Sequence, residues 1–128
     1  MKMAKVQQHS VDQYYERVRE GKERNNAARI MKYMLNYGQG GKTRHEICDR
    51  YFCVDDHGKK SALDGGSPIP WQTIASPIIW LRKNGYLVES KYTVKDPVTG
   101  NKAKLLFPSH IDPIRLTTPP DRYQPSLL

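Results

Sequence analysis

Two cysteines in 128 residues are too few for a disulfide scaffold, so a reducing, cytoplasmic setting is expected. Long apolar runs are missing as well. No stretch approaches the roughly 20 residues needed to span a bilayer, and the N-terminus carries no apolar signal segment. A membrane is therefore not an expected partner. Acidic charge is also short, with 13 Asp+Glu against 21 Lys+Arg, a formal net charge of +8 and a pI near 9.6. That balance favours a polyanion such as DNA or RNA, the plain alternative being that the charge only keeps the protein soluble.

Motifs for chemistry are absent too. The chain has no G-x-S-x-G, no H-E-x-x-H and no dinucleotide fingerprint. Glu16, Glu20 and Glu23 are interleaved with Arg17, Arg19, Lys22 and Arg24, which reads as a solvated charged face and not an acid–base pair. In the glycine-rich loop Gln39-Gly40-Gly41, the run Gly41-Lys42-Thr43 echoes only the end of a phosphate-binding loop and has no strand before it. Neither an enzyme nor a cofactor is expected.

What remains is a small α+β pattern, enough for one modest core. The chain divides into an N-terminal arm (1–24), a core (25–108) and an extended, proline-containing tail (109–128). In the arm, Ser10 and Gln13 make a possible capping box for a helix over Val11–Glu23, whose stripe of Tyr14, Tyr15 and Val18 packs on the domain or on a second subunit. Asn25–Tyr37 is a firmer helix, with Ala28, Ile30, Met31, Met34 and Leu35 at three-four spacing and Gly38 as its stop. Thr43 and Glu46 form a second capping box for a helix from Arg44 through Ile47, Cys48, Tyr51 and Phe52. The connection 53–69 is longer than most. It reads as an inserted flexible loop or one holding a short strand that pairs with the later hairpin, with Asp55, Asp56 and Asp64 as solvated turn residues.

A third helix begins at Pro70 or Trp71 and ends at Asn84. Ile74, Ile78 and Leu81 stay in phase across Pro77, which favours one bent helix over two short ones. Arg82 and Lys83 sit at its negative end and Gly85 stops it. Tyr86–Phe107 then alternates as a hairpin broken at Asp96-Pro97-Val98-Thr99-Gly100-Asn101. Alternation puts Lys91, Thr93 and Lys95 on one face and Tyr92 and Val94 on the other, while Lys102 and Lys104 alternate with Ala103 and Leu105.

Helix, helix, helix and basic hairpin in this order resembles the winged helix-turn-helix superfamily of bacterial and phage regulators. The segment Thr73-Ile74, Ile78, Leu81, Lys83-Asn84-Gly85-Tyr86-Leu87 is similar to a recognition helix that ends in leucine, a basic pair, glycine and an apolar residue. A similar phrase occurs in the winged N-terminal domain of Mrr-type restriction proteins. The resemblance implies a double-stranded DNA partner, with the third helix in the major groove and the wing on phosphate. Gln72, Thr73 and Ser76 would then reach base edges, unless they are ordinary helix-start residues. Arg82 and Lys83 would meet phosphate or solvent. Lys91, Lys95, Lys102 and Lys104 would track the backbone, unless they only protect strand edges.

Trp71 and Trp80 read first as packing residues. Trp71, at the helix entrance, is also placed to stack on a base or to anchor a protein. His45-x2-Cys48-x4-Cys53-x3-His57 is a formally possible zinc set, less favoured than a buried cysteine with surface histidines. The tail, punctuated by Pro113, Pro119, Pro120 and Pro125, cannot form a helix of any length. It is expected to wrap its first half back through Ile111, Ile114 and Leu116 and to leave Tyr123–Leu128 free. The sequence thus points to a non-catalytic DNA-binding protein acting in transcription or a replication-type transaction. The rival is a winged protein-interaction module, an accessory subunit or phage-made inhibitor of a host factor, using Trp71, the 53–69 loop and the tail. The same features fit RNA in place of DNA.

Overall fold

The computed structural model describes residues 24–120. The expected arm helix over Val11–Glu23, its possible self-association surface and the segment Tyr123–Leu128 lie outside them. The first described helix, α1, spans Arg24–Tyr37. It buries Ala27, Ile30, Met31, Tyr33 and Met34, with Ala28 and Leu35 only partly covered, so the apolar stripe is rotated slightly from the one the spacing suggests. Gly38 follows because a Cβ there would lie 2.6 Å from the Met34 side chain.

Gly41 sits at φ +90°, and a Cβ on it would meet Leu105 and Phe107 at 2.9 Å. Only glycine allows the backbone this close to those side chains. The glycine-rich loop therefore serves packing. Directly after it, Lys42 exchanges backbone hydrogen bonds with Leu106, its N–H donating at 3.0 Å and its carbonyl accepting at 2.8 Å.

Helix α2 (Arg44–Ile47) opens with the expected capping box. The Thr43 hydroxyl accepts from the Glu46 N–H and a Glu46 carboxylate oxygen accepts from the Thr43 N–H, both at 3.1 Å. The α-helical part lasts four residues and continues as a π-helical turn over Cys48–Phe52. That wider turn keeps Ile47, Cys48 and Phe52 all in the core.

The 53–69 connection departs from both expectations. It forms its own hairpin, β1 (Val54–Asp56) with β2 (Lys59–Ser61), which pairs with itself and not with the later strands. Asp55 opposes Lys60 and Asp56 opposes Lys59, so opposite charges face one another across the ladder. Nor is the return segment loose. Ala62 and Ile69 are buried, the Leu63 N–H donates to Tyr51 O, and the Ile69 N–H donates to Phe52 O. Asp64 is an exposed turn residue as expected, but it is also paired: its carboxylate takes Arg29 Nε at 2.7 Å and Nη2 at 2.9 Å, and Nη2 also donates to Ser67 O. This two-pronged clamp fastens the insertion to α1.

Helix α3 runs unbroken over Trp71–Lys83 with Pro77 inside it, and Ile74, Pro77, Ile78 and Leu81 are buried. It ends in a Schellman turn. Gly85, at φ +79°, donates to Arg82 O and Tyr86 donates to Leu81 O. Strands β3 (Leu87–Lys95) and β4 (Lys102–Pro108) then pair antiparallel, with an irregularity between Glu89 and Thr93. There the Ser90 hydroxyl accepts the Leu105 N–H and donates to Tyr92 O.

This sheet has packed layers on both faces. Leu87 and Leu106 join the main core with α1, α2 and α3. Val94, Leu105 and Phe107 form a second cluster with Val88, Tyr92, Ile111 and Leu116. The tail thus wraps back as far as Leu116, although Ile114 points to solvent. Contrary to the expectation of no helix, Pro113–Leu116 makes one short 3-10 turn, capped by Asp112.

Candidate nucleic-acid interface

The hairpin lysines are where alternation puts them. Lys91, Lys95, Lys102 and Lys104 are all exposed, while Val94 and Leu105 are buried between them. Lys95 lies directly opposite Lys102 and Lys104 opposite Thr93. Two like charges facing across a ladder repel. Among the described residues, no carboxylate comes within 4.0 Å of these four ammonium groups to relieve that repulsion.

The hairpin is fixed to α2 through its turn. Asp96 is buried, and its carboxylate accepts from Thr43 Oγ1 (3.0 Å), the Val98 N–H (3.0 Å) and Thr99 Oγ1 (3.1 Å). His45 Nδ1 lies 2.9 Å from the carboxylate oxygen that Thr99 also reaches. Thr43 therefore caps α2 and anchors the hairpin with the same hydroxyl. On its outer side the His45 ring stacks on Trp71, with centroids 3.9 Å apart and planes 14° from parallel. One line of contact thus joins the hairpin turn, the start of α2 and the start of α3.

A cleft of about 210 Å³ opens beside this line, walled by Arg44, His45, Trp71, Ala103, Lys104 and Leu106. Glu89 also reaches it, but its carboxylate is held by Arg82 Nη2 at 3.0 Å. Arg82 thus carries one ion-pair contact and stays partly exposed. Lys83 is exposed beside it.

At the start of α3, Gln72, Thr73 and Ser76 are all exposed. Gln72 and Ser76, four residues apart, share one helix face. The Thr73 hydroxyl donates to Pro70 O at 3.1 Å, so it behaves as the helix-start residue that the plainer reading allows. Trp71 keeps 39% of its surface exposed, whereas Trp80 is partly buried and packs near Tyr86.

The zinc set is not assembled. Cys48 donates its thiol to Ile69 O at 3.4 Å, His45 is turned to Asp96, and His57 sits at the exposed β1–β2 tip beside Asp56. No three His, Cys, Asp or Glu side chains converge as metal ligands among the described residues. Burial first, and then the charge of Asp49, pushes the Cys48 thiol up to about 12, far from the thiolate a nucleophile requires.

His45, Asp96, Thr43 and Arg44 were not expected at this face. Their signals were the Thr43–Glu46 box, which fixes His45 in the first helical turn, and Asp96-Pro97-x-Thr99, a side-chain-capped turn. Among the described residues, no helix is long and apolar enough to cross a membrane. No protein-family model, curated protein or solved structure matches the chain.

Proposed function

We propose that this chain is a winged-helix protein that binds double-stranded DNA and acts by binding, without chemistry. Helix α1, the Lys42 bridge, α2, α3 and the β3–β4 hairpin follow the order such a fold uses, with β1–β2 inserted before the recognition helix. In this reading α3 enters the major groove with Gln72 and Ser76 toward base edges, and the hairpin is the wing. The observation that carries the proposal is the opposed Lys95–Lys102 pair, with Lys91 and Lys104 nearby and no carboxylate within 4.0 Å of any of the four among the described residues. A row of unneutralised cations is what a phosphate backbone complements.

The test is fluorescence anisotropy on a labelled generic duplex across a salt series, beside a variant with all four lysines changed to Glu. Binding should fall steeply with salt. Each phosphate contact contributes about 0.9 to the log–log slope, so loss of four contacts should remove about 3 to 4 from it. No binding by the native chain at low salt would sink the proposal.

A protein-docking reading has one specific observation in its favour. Tyr37 and Leu63, each 60% exposed, flank Tyr51, the two tyrosine rings lying 5.9 Å apart, on a surface partly made by the 53–69 insertion. If that surface carried the function, the four-lysine variant would stay active and Tyr37→Ala would not.

A further inference from the structure

The cleft beside Trp71 carries aromatic surface that a fully paired duplex cannot use. A duplex shows base edges in its grooves, while its neighbours cover the π-faces of each base. Trp71 and His45 present aromatic rings, not a fork of hydrogen-bond donors. Their ring planes are nearly parallel, and the partly exposed indole forms one wall of the cleft. The stack is also fixed from behind, because His45 Nδ1 lies against the buried Asp96 carboxylate. A planar heterocycle entering here would extend an existing two-ring stack without first having to order it.

Charge and size agree. Arg44 and Lys104 stand on the cleft walls, and the one carboxylate that reaches it, Glu89, is occupied by Arg82. A phosphate attached to the heterocycle would therefore meet cations on two sides. The volume of about 210 Å³ falls below the ~300 Å³ at which drug-sized pockets begin and suits a single base. Lys104 belongs both to the wing and to the cleft, so a base seated here would be continuous with a backbone running along the wing.

We propose that the Trp71–His45 cleft takes one unpaired DNA base next to the duplex held by the wing, making the preferred ligand a duplex with a single-stranded end. This rests on the DNA-binding reading given above and narrows it. Arg44 and Lys104 hold the phosphate of that nucleotide, and Asp96 acts as a positioning residue through His45.

The experiment compares a blunt DNA hairpin with the same stem carrying a short 3′ or 5′ overhang, using the full chain at one fixed salt concentration. Base–aromatic stacking predicts about tenfold tighter binding to one of the overhang ligands. Trp71→Ala should bring the overhang and blunt ligands level, and Trp71→Phe should keep most of the difference. In a Trp80→Phe background, Trp71 fluorescence should be quenched by the overhang ligand and not by the blunt one, a readout in the folded native site. Equal affinity for blunt and overhang stems, or a preference that survives Trp71→Ala, overturns the inference while leaving duplex binding intact. Failure to bind either stem overturns the DNA-binding reading as well.

Discussion

Asp96 and His45, fifty-one positions apart, meet at 2.9 Å, and this contact locks the hairpin turn to the first turn of α2. The carboxylate is buried and also takes two hydroxyls and a backbone N–H. Buried charge is tolerated only when it is matched in this way.

Removing Asp96 should therefore harm both stability and the geometry of the β3–β4 hairpin. Asp96→Ala strands the Thr43 and Thr99 hydroxyls and the Val98 N–H. A loss of about 3 kcal/mol is expected, the low end for breaking a buried charged contact, because His45 remains partly solvated. Urea denaturation measures it. A loss below about 1 kcal/mol would show that the turn holds its shape without the carboxylate.

The Arg29–Asp64 clamp predicts a pH dependence. Arg29, chiefly through its hydrogen bonds, holds the Asp64 carboxyl below its ordinary value of 3.8. A depressed carboxyl contributes stability that is complete above its unfolded value and fades as pH falls through the folded one. Thermal melts of the native chain and of Asp64→Asn should differ near pH 7 and converge as the pH falls through the lowered value of the folded carboxyl. A gap that persisted at acid pH would mean that the substituted amide disturbs packing instead of removing an ion pair.

Gly41→Ala should destabilise by about 1 to 3 kcal/mol, since it combines a left-handed backbone with overpacking against Leu105 and Phe107. Gly58→Ala is the control: it shares the positive φ but has nothing within 4 Å. If the two variants melted alike, backbone strain alone would account for the effect and the close approach would be irrelevant.

Local signals in the sequence carried much of this architecture. The Thr43–Glu46 box, the Gly85 stop and the period of two along Lys91–Lys95 depend on residues close in the chain, and each appears in the fold. The Ile74, Ile78 and Leu81 phase also continues through Pro77, whose ring is itself buried. Contacts distant in sequence were illegible. Nothing local marks Asp64 as the partner of Arg29, thirty-five positions away, or Asp96 as the anchor for Thr43 and His45. The hairpin within 53–69 was hidden for a different reason: its strands are short, exposed and charged, so they lack the alternation that burial would impose.

The sheet with a packed layer on either face also governs the thermodynamics of association. Val94 and Leu105 are buried close to the turn, so only the segment from Lys95 to Lys102 projects beyond the second cluster. A short projection on a clamped base has few conformations to surrender. The backbone that carries Lys95 and Lys102 is therefore held in place, so in the proposed complex the lysine side chains alone would lose freedom on binding.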